Sequence, residues 1–153
     1  MKMTFSDHIQ FRPYFDPFDT DEYVAGMRRT LQGMRPRPRF DTMVCRGMSG
    51  NLVVPIMART MRKNYLAIRK LGENSHDDGR CVGKLGARWI FVDDFIDSGK
   101  TFREAYGSMK KIVAYATLKE EPPFSEFVGV FLYSGYKWWT AEEAIDKWIG
   151  AKR

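Results

Sequence analysis

Cysteine and histidine are scarce in this chain of 153 residues, with two of each: Cys45, Cys81, His8 and His76. That excludes a disulfide framework and offers no zinc-ligand spacing, so both thiols are expected to be free. No apolar run approaches the length of a membrane span, and there is no internal repeat or low-complexity tract. The first residues, Met1-Lys2-Met3-Thr4-Phe5-Ser6-Asp7, lack the apolar core and cleavage pattern of a secretory leader, so a cytoplasmic location is expected. With 44% hydrophobic residues the chain can build one core, and a single domain over 1–153 is expected.

Acidic residues are outnumbered by basic ones, 19 to 25, for a net charge of +6. A basic chain can bind nucleic acid, and Arg35-Pro36-Arg37-Pro38-Arg39 has the look of a basic arm. Alternating proline makes it extended and stiff, and without interleaved aromatics it reads as a solvated linker rather than an RNA contact. Positive charge would equally steer a phosphorylated substrate.

The chemistry is concentrated in Trp89-Ile90-Phe91-Val92-Asp93-Asp94-Phe95-Ile96-Asp97-Ser98-Gly99-Lys100-Thr101. An uninterrupted apolar run suits a strand buried on both faces of a parallel sheet, and Asp93 and Asp94 fall at its carboxyl end, where open α/β sheets bind ligands. Adjacent carboxylates repel phosphate but accept hydrogen bonds from a vicinal diol and can support Mg²⁺ through water. Asp97-Ser98-Gly99-Lys100-Thr101 then supplies hydroxyls, backbone N–H groups and a permissive glycine before a helix, an arrangement that holds a phosphate monoester. Gly99-Lys100-Thr101 also ends like a nucleotide-triphosphate P-loop, but that spacing requires glycine where Asp94 stands. The bland reading, a buried strand with solvated acids and an ordinary helix cap, does not account for so long and ordered a segment.

Two further segments belong with it. Phe40-Asp41-Thr42-Met43-Val44-Cys45-Arg46-Gly47-Met48-Ser49-Gly50 reads as a strand entering a glycine turn, with Val54 to Arg62 helical and Pro55 placed in that helix's first turn. Such a turn before a helix start suits an anion. Tyr65-Leu66-Ala67-Ile68-Arg69-Lys70 reads as a strand ending in two cations, and Leu71 to Ala87 as a mobile loop between strands. Arg80 and Lys84 on that loop read as solvated.

Elsewhere the pattern predicts a helix over Asp21 to Gln32 with Thr20 as N-cap and Gly33 as stop. Strands are expected near Met43, Ala67, Phe91, Ala116 and Val130. Helices are expected near Ile56, over Thr101 to Lys111, and over Ala141 to Ile149, the last with a Thr140-x-x-Glu143 capping box. Alternating strands and helices imply an α/β fold, a doubly wound, mainly parallel sheet flanked by helices.

Val92 to Thr101 resembles the phosphoribosyl-pyrophosphate (PRPP) motif of the type I phosphoribosyltransferases, in the version of the hypoxanthine-guanine enzymes. The resemblance covers roughly Phe40 to Leu132. It implies that Asp93 and Asp94 bind the ribose hydroxyls with Mg²⁺ support, and that Asp97, Ser98, Gly99, Lys100 and Thr101 hold the 5′-phosphate. Asp97 would also lie beside the nucleobase as the candidate catalytic carboxylate. Arg46-Gly47 resembles the pyrophosphate loop of the adenine-type enzymes, and Arg69-Lys70 stands where the family has a pyrophosphate-binding pair before a closing loop. Phe127 aligns with an aromatic that stacks on purines, and Phe95 and Ile96 are further base-side candidates. Ser134 stands where the hypoxanthine-guanine enzymes carry an acidic metal-associated residue, and Lys119 is the nearest candidate for a lysine that reads the purine carbonyl. The family adds a small hood over the base. Residues 1–39, with aromatic Phe11 to Phe18, are the candidate contributor, whereas Tyr136, Trp138 and Trp139 read as core or interface.

The expectation is therefore a Mg²⁺-dependent enzyme, a homodimer, joining a nucleobase, purine by preference, to PRPP to give a nucleoside 5′-monophosphate and pyrophosphate. The alternative is a non-catalytic, PRPP-sensing regulator that binds RNA.

Overall fold

The computed structural model of the chain describes residues 17–70, 80–119 and 125–150. After a short turn at Pro17–Asp19, helix α1 (Thr20–Gly33) buries Tyr23, Val24, Met27 and Leu31, the spacing of one helical face. Thr20 is the helix's first residue, and Asp19 holds the cap position. Strand β1 (Thr42–Arg46) is buried throughout and runs directly into α2 (Gly47–Thr60). Then come β2 (Asn64–Ile68), β3 (Cys81–Gly83), β4 (Arg88–Asp93), α3 (Lys100–Leu118), β5 (Glu126–Leu132), β6 (Lys137–Thr140) and α4 (Ala141–Ala144), which continues as a π-helical turn, Ile145–Ile149.

The six strands form one sheet in the order β3-β2-β1-β4-β5-β6. Its four inner strands are parallel and the short edge strands β3 and β6 are antiparallel. This is the doubly wound, mainly parallel α/β sheet that the alternation of elements implies. Alternation along each strand divides the core between two faces. On one, Met43, Cys45, Ile90, Val92 and Phe131 pack against α1 and α2 through Met27, Val53 and Met57. On the other, Val44, Trp89, Phe91, Val130 and Leu132 pack against Phe102, Ala105 and Met109 of α3 and against Trp148. Among the described residues no helix is long and apolar enough to cross a membrane.

Several boundaries differ from the sequence reading for physical reasons. Helix α2 starts at Gly47, so Pro55 sits in its interior. The proline leaves the Asn51 carbonyl without its helical donor, which is tolerable because Asn51 is exposed and water can replace the N–H. Ala116 lies in α3, not in a strand. Ile112 to Thr117 is rich in β-branched and aromatic residues, but a helix already nucleated propagates at little cost, and Tyr115 and Leu118 are left exposed. The run read as loop before Ala87 contains β3, whose partner is the exposed edge of β2. The final helix keeps its capping box, with Thr140 Oγ1 accepting from Glu143 N–H at 3.3 Å and Glu143 Oε2 accepting from Thr140 N–H at 2.8 Å.

Trp148 pins this C-terminal turn to the sheet, in edge contact with Trp139 at 5.1 Å and Phe102 at 5.7 Å. Trp148→Ala is expected to lower unfolding stability by ~3–5 kcal/mol, as truncation of a large buried aromatic does, measured by urea denaturation.

Candidate functional site

The connection after β1 turns toward β2, and the chain later returns on the opposite side to form β4, so the strand order reverses between β1 and β4. A crevice opens at the carboxyl ends of two such strands. The hydrogen-bonded pairing of β1 with β4 runs from Thr42↔Trp89 to Val44↔Phe91, short of Arg46 and Asp93. The glycine turn and the acidic pair therefore emerge side by side where the two strands part.

Asp93 is buried, 5% exposed, while Asp94 is half-buried. Asp93 Oδ1 accepts from the Asp94 N–H at 2.9 Å, and Asp94 Oδ1 accepts from Ser49 Oγ at 3.2 Å. Ser134 Oγ donates to the Asp94 carbonyl. Burial pushes the Asp93 carboxyl up to about 8, with a side-chain hydrogen bond to Asp94 and the charge of Asp94 adding to the rise, and the Asp94 N–H and the charge of Lys70 opposing it. Tyr133, buried beneath the pair with its ring 4.9 Å from that of Tyr23, is also pushed up, by burial and then by the two carboxylates. The same burial, with the Asp93 charge beside it, raises the Cys45 thiol to about 12, so this cysteine is an inert core residue.

Facing the acids is the turn at Gly47, where φ is +83°. The positive φ favours glycine, and a Cβ there would stand 3.2 Å from the Lys70 side chain. Lys70 thus lies against the turn, and its charge reaches Asp93. Arg69 does not share this position: it lines a cleft of about 300 Å³ with Asn51, Pro55, Tyr65 and Val82, and its charge acts on Cys81. Arg69 and Lys70, just past the end of β2 at Ile68, thus meet different neighbours. Arg46 also departs from expectation. Its guanidinium is buried and paired with Glu104 of α3, Nη1 to Oε2 2.8 Å, and what the Arg46-Gly47 turn presents is backbone.

Beyond the acids, Phe95 to Phe102 line a pocket of about 190 Å³ that includes Asp97, Ser98, Lys100 and Thr101. Gly99 precedes α3 with φ +75°, and a Cβ on it would meet the Trp148 ring at 2.5 Å. Lys100 N–H donates to Ser98 Oγ at 3.3 Å, and Arg103 Nη1 donates to the Ser98 carbonyl at 2.9 Å. The loop is thereby tied to the first turn of α3, and Arg103 Nη1 also donates to the Trp148 carbonyl at 3.4 Å. Asp97 and Phe95 are exposed, and Ile96 is half-buried against the α3 face of the core.

Helices α2 and α3 both begin at this edge, and neither carries an acid in its first turn, whereas α1 and α4 carry two each. A helix start concentrates unsatisfied N–H groups and positive potential, and an acid there is the usual internal compensation. Two uncompensated helix starts flank one acidic pair.

Other expected site residues lie elsewhere. Phe127 pairs with Trp89 at the amino end of β4, about 13 Å from Asp93 at strand rise. There it packs, half-buried, on Trp89 at 4.6 Å and Phe102 at 5.7 Å at the edge of the α3-face core. The register shift between Trp89 and Ile90 turns Phe127 to the α3 face, away from Phe131 and Tyr133, with which strict alternation would group it. Lys119 caps the far end of α3, about 28 Å from Lys100 along the helix. It sits over the Tyr115 ring at 5.1 Å. Tyr136, Trp138 and Trp139 pack in the core as expected, Tyr136 also donating to Glu22 at 2.9 Å. Of the hood segment, residues 1–16 lie outside the described residues, while α1 forms a core layer. Sequence reasoning passed over Ser49, Tyr133, Arg103, Glu104 and Trp148, none of which has a local motif to mark it.

No protein-family model matches the chain, and no curated protein matches it. Solved structures do. Over 76% of this chain, UMP synthase from Leishmania donovani superposes with a TM-score of 0.54 at 14% identity. Adenine phosphoribosyltransferase from Saccharomyces cerevisiae, complexed with adenine and an imino-altritol bisphosphate, superposes over the same share with 0.55 at 16%. The chain has the type I phosphoribosyltransferase fold. A third match, adenine phosphoribosyltransferase from Thermoanaerobacter pseudethanolicus, gives 0.50 at 16%. The chain spans 22% of the length of the UMP synthase and 68% of each adenine enzyme.

Because the folded state holds the Asp93 proton more tightly than the unfolded chain, the contribution of this group to stability is greatest below its ordinary value of 3.8 and is lost as pH rises through about 8. In metal-free protein, Asp93→Asn is expected to flatten that decline and to gain at least ~1 kcal/mol on wild type by alkaline pH, read from denaturation midpoints across the range. Parallel pH profiles for the two proteins would contradict the burial of a strained carboxylate pair.

Proposed function

We propose that the chain is a phosphoribosyltransferase joining a nucleobase to PRPP, with release of pyrophosphate. The observation that carries this reading is the pair of acid-free helix starts on either side of Asp93 and Asp94 at the point where the strand order reverses. PRPP has the complementary layout: a 5′-phosphate, two ribose hydroxyls, and a pyrophosphate on the opposite side. In this reading Ser98, Gly99, Lys100 and Thr101 hold the 5′-phosphate at the start of α3, Asp93 and Asp94 take the ribose diol, and the Gly47 turn with Lys70 takes the pyrophosphate.

Mg²⁺ fits the donor set. Two adjacent oxygen-only ligands, one buried and strained by like charge, suit a hard cation that takes its remaining ligands from phosphate oxygens and water. When bound, it would neutralise charge on the departing pyrophosphate. The chain's own groups do the rest. Lys70 adds positive charge at the leaving group, the diol contacts fix the ribose, and exposed Asp97, at the mouth of the phosphate pocket, stabilises the cationic character that grows at C1 or accepts a proton from the base.

A purine is the preferred base, on the likeness of the Phe95 to Thr101 loop to that of the hypoxanthine-guanine enzymes. The fold does not bear on this choice, since both adenine enzymes and a UMP synthase share it. Phe95, an exposed aromatic beside the pocket, is the described residue best placed to meet a base. A PRPP-sensing regulator would use the same binding groups, and turnover separates the two readings.

PRPP with Mg²⁺ is expected to raise the melting temperature, as any ligand that prefers the folded state does, and the combined Asp93→Asn and Asp94→Asn substitutions to abolish most of that shift. Unimpaired PRPP binding by the double variant would sink the diol assignment.

Pyrophosphate release is expected with adenine, hypoxanthine, guanine or xanthine in preference to uracil or orotate. In that assay Asp97→Asn should lower kcat by about 10²–10⁴-fold with PRPP affinity largely kept, whereas Thr101→Val should weaken PRPP binding first. Equal losses of affinity in the two variants would return Asp97 to a structural role in the loop.

A further inference from the structure

We propose that Arg46 is a positioning residue: its buried guanidinium, paired with Glu104, sets the spacing between the pyrophosphate turn and the 5′-phosphate cradle, and does not itself touch phosphate. The inference rests on the PRPP reading of the site and concerns how its two anion-binding ends are held in register.

Arg46 is the last residue of β1 and the one before Gly47; Glu104 lies in the second turn of α3, whose first turn forms the cradle. The ion pair spans 2.8 Å, with the Arg46 side chain 4% exposed and that of Glu104 41% exposed. Neither Nη1 nor Nε completes a hydrogen bond of good angle, so the guanidinium is held by charge in a buried place with Glu104 as its counter-ion. Alternation along β1 explains the direction. Val44 packs on the α3 face with Phe102 and Ala105, Cys45 packs toward Gly50 of α2, and Arg46 returns to the α3 face. The β1–β4 pairing has ended at Val44↔Phe91, so the ion pair ties the turn to α3 beyond the last rung of that ladder.

A ligand that fills both ends gains from their fixed separation, because its second contact is intramolecular, whereas a fragment filling one end is indifferent to it. This gives Arg46 a signature that neither a phosphate ligand nor a merely structural ion pair shares. The test is calorimetric titration, with Mg²⁺, of ribose 5-phosphate, inorganic pyrophosphate and PRPP into wild type, Glu104→Gln, and the double variant Arg46→Met with Glu104→Leu. The double variant removes both charges together, so it leaves no unpaired ion in the core and keeps the experiment decisive if the single variant does not fold. Expected in the variants are ribose 5-phosphate and pyrophosphate affinities within about twofold of wild type and a PRPP affinity weaker by ~10-fold or more. A loss of pyrophosphate affinity that parallels the loss for PRPP would make Arg46 a phosphate ligand and overturn the proposal. Unchanged PRPP affinity would overturn it too, leaving the pair without a role in binding. Wild type that binds none of the three would instead remove the PRPP reading on which the proposal stands.

Discussion

The parting of β1 from β4 governs everything at the carboxyl edge of this sheet. Up to Val44↔Phe91 the two strands are joined by parallel pairing, and their side chains are committed to the two core faces. Beyond it the chain leaves β1 for α2 and β4 for the loop before α3, on opposite faces, so backbone N–H groups that a continuous ladder would have consumed are released together. Two helix starts then face one another across a gap. A sheet with the same strands in simple sequential order would have no such gap, and Asp93 would be a poorly tolerated carboxylate at an ordinary strand end.

Electrostatics follow from that geometry. Burying Asp93 next to Asp94 is unfavourable, and burial, with the Asp94 charge beside it, pushes the Asp93 carboxyl toward its neutral form. Local compensation is partial: the Asp94 N–H, the Lys70 charge, and Ser49 on Asp94. In the proposed reading, two under-compensated acids beside two helix starts without acids meet a ligand that carries a hydrogen-bond-donating centre between anionic ends. The +6 net charge works in the same direction over longer range.

How much of this could be read from the residues alone depended on whether the information was local. Asp93 to Thr101 is contiguous, and its order of acids, glycine and hydroxyls survives in three dimensions as one loop. Thr140 and Glu143 cap as their spacing requires. Phe127, by contrast, looked like a site aromatic because nothing in the sequence reveals the register shift opposite Trp89, or how far back along the strand the residue sits. Arg46 is marked in the sequence only by the turn glycine beside it, while its ion-pair partner lies 58 positions later on a different element. Trp148 carried no signal at all, though it closes the space above Gly99. Ala116 failed differently, since β-branched propensity lost to the continuation of an established helix.

The aromatic residues late in the chain bear on where a base could be gripped. Tyr136 packs its ring on Gly26 of α1, Trp138 lies on Phe131 at 6.4 Å, and Trp139 meets Trp148, so all three serve to clamp β6 and the C-terminal turn onto the sheet. Of these, Trp139 reaches Gly99 through Trp148, while Tyr136 and Trp138, partly buried, pack on the opposite face of the sheet. The aromatic surface at the described site is therefore narrow, with Phe95 on the loop itself as its exposed member. If, as proposed, Phe95 meets the base and its own loop holds the 5′-phosphate, the seating of the base is coupled to the seating of the 5′-phosphate. In such an arrangement, changes to the packing of Trp148 on Gly99 would reach base recognition through the loop, without touching the base.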